Sequence, residues 1–216
     1  MARLRLGVMI SGRGSNLQAL IDACQGLAFP AEIACVISNV RGVYGIERAR
    51  AAGLPTVVIP HKGYPSREAF EADLTRVLYA HGVDLVCNAG FMRILTPSFF
   101  EHWPDRVINI HPSLLPAFPG LKTHERVLAA GCRFTGCTVH FSRPEVDAGP
   151  IIVQAAVPVL QSDTPETLAA RVLAEEHRIY PMAVRWLAEG RVQLDGERAI
   201  VAEPDIAETA LINPAG

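Results

Sequence analysis

The chain has 216 residues, of which 50% are apolar and 19% are charged, and its formal net charge is −2. This length and composition allow one large α/β domain, or two small ones, with a sizeable core. The nearly neutral charge gives no electrostatic argument for nucleic acid or an anionic membrane as a partner, and no apolar run approaches the roughly 20 residues of a membrane span.

The amino-terminal segment and the cysteines predict a cytoplasmic protein. A short apolar run follows Arg5, but the glycine-rich stretch 11–14 interrupts it, so we expect no secretory signal peptide. The 5 cysteines are odd in number and lack CxxC spacing. They predict free thiols in a reducing compartment rather than disulfides or zinc ligands.

The first half of the chain alternates strand-like apolar runs with segments of helical spacing. In chain order, the pattern predicts strand Leu4–Ile10, helix Ser15–Cys24, strand Glu32–Ser38, helix Gly45–Ala52, strand Pro55–Ile59, helix Ser66–His81, strand Val83–Asn88 and strand Arg106–Ile110. Strands that alternate with helices form βαβ units with right-handed crossovers. We therefore predict a Rossmann-like α/β fold, in which an open, mostly parallel twisted sheet carries helices on both faces.

The second half predicts a C-terminal antiparallel extension of this fold. After the proline-rich stretch 112–119, the pattern predicts helix Lys122–Ala130, strands Phe134–Phe141 and Ile151–Leu160, helix Thr164–Glu189, and a hairpin of Arg191–Leu194 with Ala199–Ala202. Pro181 falls inside the long helix and should kink or break it. The last dozen residues have weak periodicity and are expected to lie on the surface or fray. Because the sequence shows neither a repeat nor a linker, we predict a single domain over residues 1–216.

The predicted strand that ends near Ile110 carries the most informative polar residues. Asn109 and His111 are two residues apart, so alternation along the strand places both side chains on one side. Pro112 ends the strand, which puts them at its carboxyl end, where ligands bind in open α/β sheets. An amide donor beside an imidazole suits acyl-group transfer, because one group can stabilise an oxyanion and the other can move a proton.

A glycine-rich turn, Ser11–Asn16, follows the first strand and opens the first helix. Its glycines allow a ligand to approach the backbone closely, and the start of a helix offers free N–H groups for a phosphate. The turn has neither the GxGxxG spacing of a dinucleotide site nor the Gly-Lys-Ser/Thr of a P-loop. The alternative is an ordinary turn in which Ser15 caps the helix.

Two further segments leave both a structural and a functional interpretation open. The stretch 90–95 sets Arg93 among apolar residues after the fourth strand, which suits either simple packing or the wall of a pocket for a flat ligand with a carboxylate. Asp147 lies in a Gly- and Pro-containing loop, where an aspartate more often forms a turn. If that loop folds back over His111, Asp147 would orient the imidazole and favour its charged form.

The remaining candidate residues do not favour a metal site or covalent catalysis. The other histidines lack metal-ligand spacing, and we expect His140 to be packed or paired within its strand. No serine lies in a GxSxG motif, and no cysteine has a recognisable nucleophile setting. Direct transfer between two bound substrates is therefore favoured.

Together, four segments resemble the formyltetrahydrofolate-dependent formyltransferase family, and in particular its glycinamide ribonucleotide branch: Ser11–Asn16, Ala89–Leu95, Asn109–Pro116 and Glu176–Pro181. The segments Gly136–His140 and Asp147–Pro150 match the wider family. The resemblance covers about residues 5–190. It implies a nucleotide-binding half at about 1–105, a folate-binding and catalytic half at about 106–190, and a peripheral hairpin and tail at 191–216.

The resemblance also implies roles for individual residues. The catalytic residues would be Asn109, His111 and Asp147. The substrate phosphate and the rest of the ribonucleotide would be held by Gly14, Ser15, Asn16 and Glu176. The folate pocket would be lined by Arg67, Met92, Arg93, Ile94, Leu95, Asn109, Arg143, Pro144, Glu145, Val146 and Asp147.

The implied activity is transfer of the formyl group of 10-formyltetrahydrofolate to the amine of glycinamide ribonucleotide in purine biosynthesis, by direct attack through a tetrahedral oxyanion. The implied co-substrate is 10-formyltetrahydrofolate, with no metal. The expected partners are small-molecule substrates, without nucleic acid or membrane, and the expected state is a monomer or a weak homodimer in the cytoplasm. The alternatives are a 10-formyltetrahydrofolate hydrolase and a non-catalytic module that binds a nucleotide or sugar phosphate.

Overall fold

A computed structural model describes residues 2–203 and 210–214 of the chain. The strands in these residues are β1 (Leu4–Ile10), β2 (Ala31–Ser38), β3 (Thr56–Val58), β4 (Leu85–Asn88), β5 (Val107–His111), β6 (Phe134–Phe141), β7 (Ile151–Pro158), β8 (Val192–Asp195) and β9 (Arg198–Val201). The helices are α1 (Ser15–Cys24), α2 (Tyr44–Ala51), α3 (Arg67–Ala80), α4 (Pro97–His102), α5 (Thr123–Ala129) and α6 (Pro165–Ala188), with a short 3-10 turn at His61–Gly63.

Seven of the strands form one sheet in the order β3-β2-β1-β4-β5-β6-β7. Strands β1 to β5 are parallel to one another. Strand β6 is antiparallel to β5, and β7 is antiparallel to β6. The order reverses at β1, which pairs with both β2 and β4. A ligand crevice is expected at the carboxyl ends of the strands beside such a reversal. The predicted Rossmann-like sheet with an antiparallel extension is therefore confirmed.

Each face of the sheet is covered by helices and has its own apolar core. On one face, buried residues of α1, α2, α5 and α6 pack against the strands. On the other face, α3 and α4 pack around Trp103, whose side chain is fully buried. Because both faces are covered, the central strands β1, β2 and β4 are buried along most of their length rather than alternating. Polar side chains that do lie on this sheet are therefore exceptions that call for an explanation.

The long helix α6 differs from its prediction in one respect. It is a single helix from Pro165 to Ala188 and continues through Pro181, so the predicted break is wrong. Pro181 removes one backbone hydrogen bond, but buried residues on both sides, including Tyr180 and Ala183, hold the helix against the sheet. Its start follows the prediction, because the Thr164 side chain accepts a hydrogen bond from the backbone of Thr167.

Helix α4 was not predicted from the sequence, although it begins with the same signal as α6. Thr96 precedes Pro97 at the first helical position, as Thr164 precedes Pro165. The other predicted elements lie within two residues of the observed ones, including the hairpin β8–β9. Part of the predicted surface tail, residues 204–209 and 215–216, lies outside the described residues. Over the described ranges, no helix combines the length and apolarity needed to cross a membrane.

Candidate active site

Asn109 and His111 lie at the carboxyl end of β5, which is where the strand pattern places them. Across the antiparallel ladder, Asn109 pairs with His140 of β6 and His111 pairs with Thr138. His111 is only 5% exposed. Two polar pairs therefore occupy one side of the sheet where it passes from parallel to antiparallel pairing.

Asp147 reaches His111 from the loop of residues 142–150, hereafter the Asp147 loop. Asp147 Oδ1 lies 3.3 Å from His111 Nδ1, and Oδ2 accepts a hydrogen bond of 2.7 Å from the backbone N–H of Gly120. Burial disfavours the charged carboxylate, but these two donors outweigh it and hold the pKa of Asp147 below its usual value. The pair is thus a carboxylate that orients an imidazole.

The other nitrogen of His111 also faces an acceptor. His111 Nε2 lies 3.0 Å from the backbone oxygen of Phe118. A ring with an acceptor at each nitrogen can satisfy both only as the doubly protonated imidazolium. Ser113 Oγ lies 3.2 Å from the same oxygen but 2.6 Å from the oxygen of Ala117, so its single proton is better placed to serve Ala117.

His140 fixes the orientation of the Asn109 amide, a function that the sequence did not reveal. His140 Nδ1 lies 2.9 Å from the oxygen of Phe141 and 3.2 Å from that of Ala148, so it must carry the ring proton. Burial lowers the pKa of His140, which leaves Nε2 as a neutral acceptor for Asn109 Nδ2 at 3.3 Å. The second N–H of Asn109 is then available to a developing oxyanion. Only the pairing of β5 with β6 could have identified this contact.

The glycine-rich turn contacts α6 through a buried hydrogen bond. Asn16 Nδ2 donates to Glu176 Oε2 at 2.7 Å across 160 residues of sequence. Burial raises the pKa of Glu176, opposed in part by the Asn16 hydrogen bond and by the charge of His111. The structure therefore brings together two residues that the resemblance assigns to the ribonucleotide.

Gly14, rather than Ser15, is the N-cap of α1. Its φ of 69° lies in the left-handed region, and a Cβ there would lie 2.7 Å from the Cα of Gly45. Ser15 is the first residue of the helix and does not cap it, which corrects the structural alternative for this turn. The missing side chain at Gly14 thus allows the start of α1 to pack closely against α2.

The segment 90–95 is fixed to the glycine-rich turn at its start. Ser11 N donates to the oxygen of Gly90 at 3.1 Å, and Ser11 Oγ accepts from Met92 N at 2.8 Å. Met92 and Ile94 are exposed, whereas Leu95 is buried in the second core. The segment thus presents apolar side chains to solvent beside the end of β4.

Arg67 and Arg93 line a common cavity of about 220 Å³, together with His61, Tyr64, Ser66 and Phe70. Two guanidinium groups in one cavity suit a carboxylate ligand. His61 lies in the short 3-10 turn, and nothing in the sequence indicates that it joins Arg67 in this cavity.

The residues at 143–146, which the resemblance assigns to the folate pocket, differ from one another in burial and in their contacts. Arg143 forms ion pairs with Asp105 at 3.0 Å and with Glu197 of the β8–β9 turn at 3.2 Å. Pro144 is partly buried, and Glu145 and Val146 are exposed. Arg143 therefore anchors the start of the Asp147 loop to the rest of the fold.

Replacement of Gly149 by alanine is expected to displace Asp147 and lower activity about 100-fold, the cost typical of an ångström-scale misplacement. Gly149 has a φ of 113°, and a Cβ there would lie 2.2 Å from the oxygen of Phe141. Steady-state kinetics would measure the loss. Gly26→Ala is the matched control, because a Cβ at Gly26 makes only an ordinary contact of 3.5 Å with the oxygen of Ala23. Wild-type kinetics in Gly149→Ala would contradict the expectation.

Comparison with known proteins places this geometry in a family. The sequence profile described as formyl transferase matches residues 4–184. The chain belongs to the formyl transferase family. The phosphoribosylglycinamide formyltransferase of Escherichia coli (strain K12) is 44% identical to it over 202 residues, which cover 90% of the chain and 95% of that relative.

Two other comparisons show how much of this formyl transferase chain matches known proteins, and how much of each of those proteins it covers. It is 51% identical over 209 residues to the trifunctional purine biosynthetic protein adenosine-3 of Drosophila pseudoobscura pseudoobscura, covering 96% of the chain but only 15% of that relative's length. The crystal structure of glycinamide ribonucleotide transformylase 1 from Symbiobacterium toebii has a TM-score of 0.91 and 52% identity, covering 93% of the chain and 95% of that structure. The likeness thus includes both halves of the described fold.

Proposed function

We propose that the chain transfers the formyl group of 10-formyltetrahydrofolate to the amine of glycinamide ribonucleotide. The observation that carries the proposal is the convergence of Asn109, His111 and Asp147 at the carboxyl end of β5. Family membership and the similarity to phosphoribosylglycinamide formyltransferase support the same reaction.

In the proposed reaction, the folate supplies an electrophilic formyl carbon and the residues of the chain handle charge and protons. The free N–H of Asn109 donates to the formyl oxygen as negative charge develops there. Loss of one such donor typically costs about 3 kcal/mol of transition-state stabilisation. The His111 imidazolium lies on the same side of β5 and adds positive charge. As the amine nitrogen bonds to the formyl carbon, the bond from that carbon to the folate nitrogen breaks. Asp147 keeps the charge of His111 in place or relays the proton of the amine through water to the departing folate nitrogen.

The two substrates occupy opposite sides of this group in the proposal. Gly14, Ser15 and Asn16 hold the phosphate at the start of α1, and Glu176 contacts the ribose or glycinamide end. Arg67 and Arg93 bind the carboxylate end of the folate in their shared cavity. Met92, Ile94, Leu95 and residues 143–147 border its ring. This assignment fits an anionic folate tail, because the cavity carries two guanidinium groups.

The proposal includes a setting for the reaction. We infer that the enzyme is cytoplasmic, acts as a monomer or weak homodimer, and binds small molecules rather than nucleic acid. The five free cysteines support a reducing compartment, since three of them are buried thiols within the described fold.

Turnover with defined substrates tests the proposal. Purified protein mixed with 10-formyltetrahydrofolate and glycinamide ribonucleotide should release tetrahydrofolate and formylated ribonucleotide in equal amounts. Release of formate and tetrahydrofolate without the ribonucleotide would instead indicate a hydrolase. Binding of the ribonucleotide without any consumption of folate would indicate a non-catalytic module.

A further inference from the structure

The amide of Asn88 is a polar group that core packing does not explain. Asn88 is the last residue of β4 and is 8% exposed, and its Oδ1 is buried without a hydrogen-bond partner among the described residues. Its backbone is held in place, because the Asn88 main-chain oxygen accepts from the Tyr180 hydroxyl at 2.9 Å. Buried amide oxygens rarely lack a partner, since the unmade hydrogen bond destabilises the fold.

The register of the sheet places Asn88 beside the proposed reaction centre. Asn88 and Asn109 are partners in the parallel β4–β5 ladder, and Asn109 pairs with His140 in turn. Partners on adjacent strands lie about 4.8 Å apart and point to the same face. On the other side, Asn88 pairs with Met9, which is fully buried and apolar. Asn88 therefore ends a row of three polar side chains at the edge of an apolar core.

The position of Asn88 in the chain points to one of the two substrates. The strand runs directly from Asn88 into the segment 90–95, whose exposed Met92 and Ile94 border the proposed folate ring. An amide oxygen accepts hydrogen bonds, so its partner cannot be the formyl oxygen, a phosphate or a carboxylate, which are acceptors themselves. The ribonucleotide also has N–H and O–H donors, but the proposal places it at the glycine-rich turn and Glu176 rather than beside the segment 90–95. The bicyclic ring of a folate carries N–H groups that can donate to it.

We propose that Asn88 determines specificity for the formyl donor, because its side-chain oxygen accepts a hydrogen bond from an N–H group of the folate ring. The inference rests on the proposed function. It assigns Asn88 to the ring, whereas Asn109 serves the formyl group and the two arginines serve the carboxylate tail.

Asn88→Leu tests the proposal, because leucine has a similar volume and no polar atoms. We expect the KM for 10-formyltetrahydrofolate to rise about 5- to 10-fold, the effect of one neutral hydrogen bond, while the KM for the ribonucleotide stays within twofold. We also expect the midpoint of thermal unfolding without ligands to rise, since the unpartnered oxygen is gone. Thr135→Val is the matched control. Thr135 Oγ1 is likewise buried without a described partner, so this variant should raise the midpoint and leave both KM values unchanged.

Three results would overturn the proposal. The KM for the formyl donor could be unchanged in Asn88→Leu, or only the KM for the ribonucleotide could rise. The control Thr135→Val could also raise the KM for the formyl donor as much as Asn88→Leu does. If Asn88→Leu does not fold, wild-type protein is assayed with formyl donors in which single ring N–H groups are replaced by C–H. Equal KM values for all of these donors would refute it, and a selective loss with one would support it. Absence of any wild-type turnover would refute the proposed function itself, which is a distinct outcome.

Discussion

His111→Ala is expected to lower kcat/KM by about 10³-fold, within the range typical of a lost general acid or base. His111 is the ring at this site with an acceptor at each nitrogen, whereas neutral His140 is held by two carbonyl oxygens and Asn109. Removal of His111 also leaves Asp147 Oδ1 without its partner in a buried position. We therefore expect a loss of about 1–3 kcal/mol in the free energy of unfolding as well.

Steady-state kinetics and denaturant unfolding measure these two effects separately. His102→Ala is the matched control, because His102 is exposed at the end of α4 and its side chain lies outside the proposed site. Asn109→Ala should lose about 10² to 10³-fold by removal of one oxyanion donor. Activity of His111→Ala above a tenth of the wild-type value would show that this imidazole does not stabilise the transition state as proposed.

Asp147→Asn is expected to lower kcat/KM by about 10² to 10⁴-fold and to change how stability depends on pH. The folded-state pKa of Asp147 is held below its usual value, because the donors at His111 and Gly120 outweigh the effect of burial. A depressed folded pKa gives stability that is fully present above the unfolded value of about 3.9 and is lost as the pH falls through the folded value. The stability difference between wild type and Asp147→Asn should therefore be largest near pH 6 and shrink on acidification.

Urea unfolding at pH 6 and at successively lower pH values tests this expectation. Asp195→Asn is a suitable control, because Asp195 is exposed at the end of β8, in the separate two-stranded sheet. A difference that stays constant or grows on acidification would mean that Asp147 does not stabilise the fold as a carboxylate.

The sequence was sufficient to predict features that depend on neighbouring residues. Continuous apolar runs, separated by segments of helical spacing, predicted the parallel sheet, because a strand covered on both faces is apolar along most of its length. The proline after His111 predicted that Asn109 and His111 lie at a strand end. Local signals also predicted where α3 and α6 begin, and there the Ser66 and Thr164 side chains cap the helices by accepting backbone hydrogen bonds.

Features that depend on distant residues could not be read from the sequence. The contact of Asp147 with His111 requires a loop to fold back, and the Asn16–Glu176 hydrogen bond joins residues 160 apart. Arg143 was assigned to the folate pocket by resemblance, whereas its ion pairs with Asp105 and Glu197 depend on where the hairpin packs. Pro181 was expected to break α6 because helix propensity was weighed without the buried contacts that hold the helix.

The two hydrogen bonds of Ser11 have a thermodynamic consequence for how the two proposed substrate sites influence each other. One joins the glycine-rich turn to Gly90 and the other joins it to Met92, so the two segments cannot move independently without breaking them. A substrate that shifts the turn must therefore shift the 90–95 segment as well. By reciprocity, any factor by which one substrate changes the affinity for the other applies equally in the reverse direction.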